Sequence, residues 1–192
     1  MNQKKTWLLA AITLLVLAAG VLLSLHREGR QADLGGTEIF ADLDKSLAEA
    51  TEIRLSKGEG SRTPLRKGDG GWQVVERNFP ADAARVRELA LGVANLRVVE
   101  RKTSDPANYA KLGVEDTDSP TAGGILVEVV GGKNTWSLIV GKSAEGRALY
   151  VRKPGEAQSL LATPFLTADP DQKRWIDRLI VDVAGTSVHE VA

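Results

Sequence analysis

The chain has 192 residues, 26% of them charged, and its 25 basic and 25 acidic side chains balance to a formal net charge of zero. That balance supplies no general attraction to nucleic acid, and 5% aromatics are too few for a platform that stacks bases or sugars. Cysteine is absent, which removes disulfides, thiolate metal sites and cysteine nucleophiles together.

The first predicted element is a membrane anchor. After a short tail, residues 1–6, residues 7–25 read WLLAAITLLVLAAGVLLSL, an uncharged run of about nineteen positions between Lys4 and Lys5 on one side and Arg27 and Arg30 on the other. At about 1.5 Å per residue a helix of this length spans roughly 28 Å, close to the hydrocarbon thickness of a bilayer. A cleaved signal peptide is the competing reading. Cleavage after Ala18, Ala19 and Gly20 leaves VLLSL as an apolar N-terminus, so the run is expected to stay attached. Lys4, Lys5 and the terminal amine favour an inside N-terminus. A single-pass protein of the bacterial inner (cytoplasmic) membrane follows, with its C-terminal domain in the periplasm or outside. Gly20 and Ser24 read as ordinary small residues facing lipid.

Residues 26–46 are polar with glycines and read as a juxtamembrane linker, order beginning near Leu43. Three alternating runs come next: TEIRLS from Thr51, RTPLRK from Arg62 and WQVVE from Trp72, with KGDGG as the turn between the last two. Pro64 argues for an edge position or a shifted boundary in the second run. Val86, Leu89, Ala90, Val93 and Leu96 share one helical face, and Asp82 stands ready as its N-cap. RVVERK from Arg97 is strand-like, and Ser104, Asp105 and Pro106 open a short helix that ends at Gly113.

The pattern then repeats with ILVEVV from Ile125, a GGKN turn, TWSLIV from Thr135, ALYVRK from Ala148 and QSLLA from Gln158. DPDQKRWIDRL from Asp169 predicts a closing helix, with cap chemistry at Asp169 and proline at its first position. The expected fold is α+β: an N-terminal transmembrane helix, then two similar antiparallel β-meander units, each closed by a helix. The units cover residues 47–114 and 125–180 with a linker at 115–124. Residues 181–192 resemble the lead into the first strand, as the start of a further unit.

FPADAARVRELALGVANLRVVERKTSDPANYAKLGV at residues 79–114, LIVGK at 138–142, YVRKPGE at 150–156 and WIDRLIVDV at 175–183 together resemble the bacterial family known as domain of unknown function 4340. The resemblance implies an N-terminal anchor, repeated β-rich units, and a gene often placed beside ABC transporters of the type associated with gliding motility. It brings no catalytic residues to carry over.

The chemical motifs weaken on inspection. GKS at Gly141, Lys142 and Ser143 lacks the glycine a phosphate loop needs five positions earlier, where Trp136 stands, and a strand follows it instead of a helix. KGDGG, residues 67–71, is hairpin chemistry. Glu115, Asp116 and Asp118 do not make a calcium loop, and Asp169 with Asp171 reads as helix capping. His26 and His189 are too isolated for a metal pair or a serine-activating dyad. Trp72, Trp136 and Trp175 fall on inward-facing positions, Trp7 at the membrane interface, and Tyr109 and Tyr150 read as packing residues.

No catalytic, cofactor-binding or metal-binding residue is nominated, no cofactor is expected, and the chain reads as a non-enzyme. The expected partners are the lipid bilayer through residues 7–25 and another membrane or envelope protein, with no nucleic acid. The leading function is a membrane-tethered extracytoplasmic accessory or interaction module, associated with an ABC-type transport system, that docks through strand edges or unit junctions. The alternative is a ligand- or envelope-polymer-binding domain with an apolar cleft at the junction near residues 102–124.

Overall fold

The computed structural model describes residues 36–58, 60–144 and 146–178, together with Thr13, Val16 and Leu17, which are helical. The expected anchor otherwise lies outside the described residues, as do residues 26–35 and the segment 181–192. Among the described residues no helix is long and apolar enough to cross a membrane.

The described residues form nine strands in chain order: β1 Ala50–Lys57, β2 Ser61–Gly68, β3 Gly71–Val74, β4 Phe79–Pro80, β5 Arg97–Arg101, β6 Ile125–Gly131, β7 Asn134–Ala144, β8 Ala148–Arg152 and β9 Ser159–Thr163. The helices of this domain are short: α1 Leu43–Ser46, α2 Ala83–Ala94 and α3 Tyr109–Leu112. Local chemistry explains several boundaries. The Asp82 carboxylate accepts from the amides of Ala84 (3.1 Å) and Arg85 (3.2 Å) and so starts α2. Asp105 caps the turn ahead of α3 through the Ala107 amide, and Gly113 ends α3 at φ 69°, a left-handed conformation that glycine adopts without steric cost.

All nine strands join one antiparallel sheet in the order β4-β3-β2-β1-β6-β7-β8-β9-β5. The protein is thus α+β, mostly antiparallel sheet with a few short helices. β1 and β6 pair at the centre with Ile53 opposite Val129 and Leu55 opposite Val127, and each run of strands then steps outward to its own side. The inward faces of these strands bury Ile53, Leu55, Leu65, Val74, Val127, Val129, Leu138 and Val151 against Val86, Leu89 and Val93 of α2. Full burial of each such side chain contributes roughly 1.5–3 kcal/mol.

Each outer strand of the sheet is partly covered by the chain itself. At β5 the Gly36 amide donates to Val98 O (2.8 Å), the Val98 amide to Thr37 O (2.8 Å) and the Ile39 amide to Leu96 O (3.0 Å). At β4 the Asp82 amide donates to Trp175 O (2.8 Å) and the Asp177 amide to Pro80 O (3.0 Å). Covering an edge removes the row of open amides and carbonyls on which another strand could pair.

Three expectations need correction. The closing helix at residue 169 is a single 3-10 turn, Gln172–Arg174, because the backbone groups that would carry it onward are bonded to residues 80 and 82 at the sheet edge. The linker over 26–46 is packed from Gly36, not from Leu43: Ile39 is buried, and Arg97 holds Glu38 at 2.7 Å. Pro64 lies in an interior strand, between β1 and β3. The β3 ladder reaches along β2 only as far as Leu65, so at Pro64 and before it that flank of β2 has no strand partner, as at an edge.

Candidate functional site

The junction near residues 102–124 is filled. Tyr109 and Val114 pack with Ile139 on the outer face of the sheet, joined by Leu112, Leu126 and Tyr150. Arg152, only 2% exposed, clamps this layer. Its Nε donates to Val114 O (2.7 Å), Nη1 to Glu156 O (3.0 Å) and Nη2 to the Asp116 carboxylate (2.5 Å), and the guanidinium lies 4.6 Å from the centre of the Tyr109 ring. The Tyr109 hydroxyl donates to Ala157 O. The ligand cleft expected here is therefore replaced by a small core.

The residues of the sequence motifs have structural roles. A Cβ on Gly141 would overlap Leu112 O and come within 2.7 Å of Val114, so the glycine admits the end of α3. Lys142 Nζ donates to Ala110 O (3.2 Å) and Lys111 O (3.0 Å), satisfying carbonyls at that helix end. KGDGG forms the β2–β3 hairpin. Glu115 accepts from the Gly123 amide, Asp116 pairs with Arg152, and Asp169 and Asp171 accept from the amides of Asp171 and Lys173 as turn caps. Among the described residues no group of three potential ligands could hold a metal ion. Trp175 is buried in the main core, with Trp72 and Trp136 packed against that core, while His26 and His189 lie outside the described residues.

A cleft opens elsewhere. Residues 164–175 cross from the end of β9, near one sheet edge, to the opposite edge, passing under α2 as a strap. Thr63 Oγ1 donates to Pro170 O (2.6 Å), and the Trp175 indole donates to Asp169 O (2.7 Å), fixing its middle and its end. Gly92 allows close approach, since a Cβ there would stand 3.2 Å from the Leu166 Cβ. Between strap and helix lies a cleft of about 590 Å³.

Leu89, Leu166 and Trp175 form buried parts of its wall, and Pro164 and Phe165 form one lip. Of the charged residues around it, Arg85 is engaged by Asp82 (3.1 Å) and by Arg174 O (3.0 Å), and Arg174 by Asp169 (3.3 Å). The Glu88 side chain makes no hydrogen bond or ion pair among the described residues. Phe165 is 46% exposed. An apolar wall with an uncommitted carboxylate suits recognition. The readable signal is Gly92, because a glycine inside a helical pattern commonly marks close packing.

Shifted acidity lies elsewhere, on the sheet face turned away from α2. The Arg54 hydrogen bond to Glu52 (2.9 Å) holds that carboxyl below its ordinary range, reinforced by the charges of Arg54, Arg66 and Arg62 and opposed by partial burial. Arg54 is correspondingly raised by its bond to Glu52. Glu128 extends the ladder, 3.9 Å from Arg54.

Residues 72–192 match the family described as domain of unknown function (DUF4340). No curated protein and no solved structure matches the chain. The family match covers more than half of the chain, which belongs to that family.

Proposed function

We propose that this family member is a membrane-tethered extracytoplasmic accessory module, without chemistry of its own, that docks onto another membrane or envelope protein of an ABC-type transport system. Residues 7–25 are the tether, and the domain stands in the periplasm or outside the cell. Two similar meanders, spreading from the β1–β6 pair, make the rigid body. Confinement to a membrane raises effective concentration, so a modest contact is enough for occupancy.

The observation that carries the reading is the cleft between α2 and the strap, an apolar wall with the exposed Phe165 at its lip and Glu88 uncommitted on its rim. Because the outer strands are partly covered, the cleft is the docking site proposed. A photoreactive benzoylphenylalanine replacing Glu88 in the full chain, irradiated in cell membranes, is expected to give one discrete adduct with a membrane or envelope protein. The same adducts from a probe at Gln73, on the far face, would dismiss the cleft as a docking site.

A second reading rests on the cleft volume, which falls in the range of about 300–1,000 Å³ usual for small-molecule sites. A small molecule or envelope-polymer fragment bound there would raise the melting temperature of the parent protein and leave a Gly92→Leu variant unshifted.

A further inference from the structure

Two edges of the sheet carry exposed apolar side chains. Phe79 (41% exposed) lies on β4, whereas Val99 (44%) lies on β5 with Phe165 just beyond the end of its partner β9. They differ in where the chain enters. Residues 36–39 run antiparallel to β5, with Glu38 bridging Arg97 and the Gly36 amide bonded to Val98 O. The described domain therefore begins beside Val99. Only ten positions, residues 26–35, separate Gly36 from the end of the apolar run at Leu25, a reach of at most about 40 Å when fully extended.

Exposed cations also stand near this edge. Arg101, at the end of β5, and Arg147, whose carbonyl accepts from Thr163 Oγ1 (3.3 Å), are both exposed and make no ion pair among the described residues. Arg97 is held by Glu38, and Lys102 by Glu100 at 2.6 Å, so the nearby acids are largely committed. Glu145, in the turn that carries Arg147, lies outside the described residues.

We infer that the β5 edge rests on the bilayer surface, with Val99 and Phe165 at the headgroup boundary and Arg101 and Arg147 on anionic headgroups. This inference rests on the tether reading. It turns the Phe165 lip of the cleft toward the membrane plane, so a docking segment would be met at the lipid surface. The short tether limits how far the edge can leave the bilayer, and each basic side chain near an anionic surface adds attraction.

The absence of cysteine permits a clean test. The full chain is reconstituted into vesicles of phosphatidylcholine with phosphatidylglycerol, carrying a nitroxide on Val99→Cys or, as control, on Phe79→Cys. Relaxation by membrane-dissolved oxygen is expected to dominate at position 99, and relaxation by an aqueous nickel complex at position 79. Arg101→Gln and Arg147→Gln are each expected to weaken the contact about fivefold in anionic vesicles and to have no effect in pure phosphatidylcholine. Protein that floats with vesicles but reports water equally from both labels overturns the edge contact while leaving the tether intact. Protein that does not float with vesicles overturns both.

Discussion

On the face of the sheet turned away from α2, the two meanders differ. Arg54 in the first belongs to an open ladder with Glu52, Arg66 and Glu128, its side chain 31% exposed. Arg152 in the second is sealed, its side chain 3% exposed, beneath the segment that carries α3. The same alternating backbone gives a solvated charge ladder in one half and a second small core in the other. The connection between the meanders therefore decides which strands are buried on both faces.

The largest expected effect breaks the sealed half. Arg152→Ala leaves the buried Val114 O without its donor and opens a void under Tyr109, so a loss of about 2–4 kcal/mol is expected in urea unfolding. Gly141→Ala attacks the same layer by overpacking, because its Cβ meets backbone oxygens that cannot rotate away, and should cost about 1–3 kcal/mol. Restored stability in a variant that also shortens Val114 would show that the side chain, not the backbone, sets that cost.

The smallest effect belongs to the open half. Arg54→Ala is expected to cost no more than about 1 kcal/mol, as for other solvent-screened pairs, and a loss matching that of Arg152→Ala would erase the contrast. Its pH dependence has a definite sign. The Glu52 carboxyl titrates lower in the folded chain than in the unfolded one, so its contribution is complete above the ordinary glutamate range and disappears as pH falls through the folded value. Glu52→Gln should therefore flatten part of the acid-side loss of stability, read by urea unfolding across pH, and lower the neutral plateau only slightly.

Part of this contrast is readable in the strands. TEIRLS alternates charged and apolar residues, the pattern of a strand with one wet face, whereas ILVEVV is nearly continuous apolar sequence, and its Leu126 packs against the second core while its Glu128 joins the open ladder. Asp82, Asp105 and Gly113 likewise mark their helix ends, because a cap acts on amides within a few residues. The cleft is not readable in this way. Its walls come from α2 and from residues 164–175, and only Gly92 hints that something approaches the helix closely.

The residues between 169 and 178 show where local signals lose. Their cap chemistry is sound, since Asp171 does cap a turn, but pairing with residues 80–82 at a sheet edge satisfies the next amides and carbonyls in another geometry. Composition, alternation and turn chemistry determine eight of the nine strands, α2, the hairpin and the α+β class, because those signals operate over one or two turns of chain; the two-residue β4 exists only through its pairing with β3. Tertiary packing decides that β5 closes against β9, that residues 36–39 and 175–177 meet the two outer strands, and that the strap leaves a cleft beneath α2. These contacts join distant positions and depend on which backbone groups remain unpaired after the local elements form.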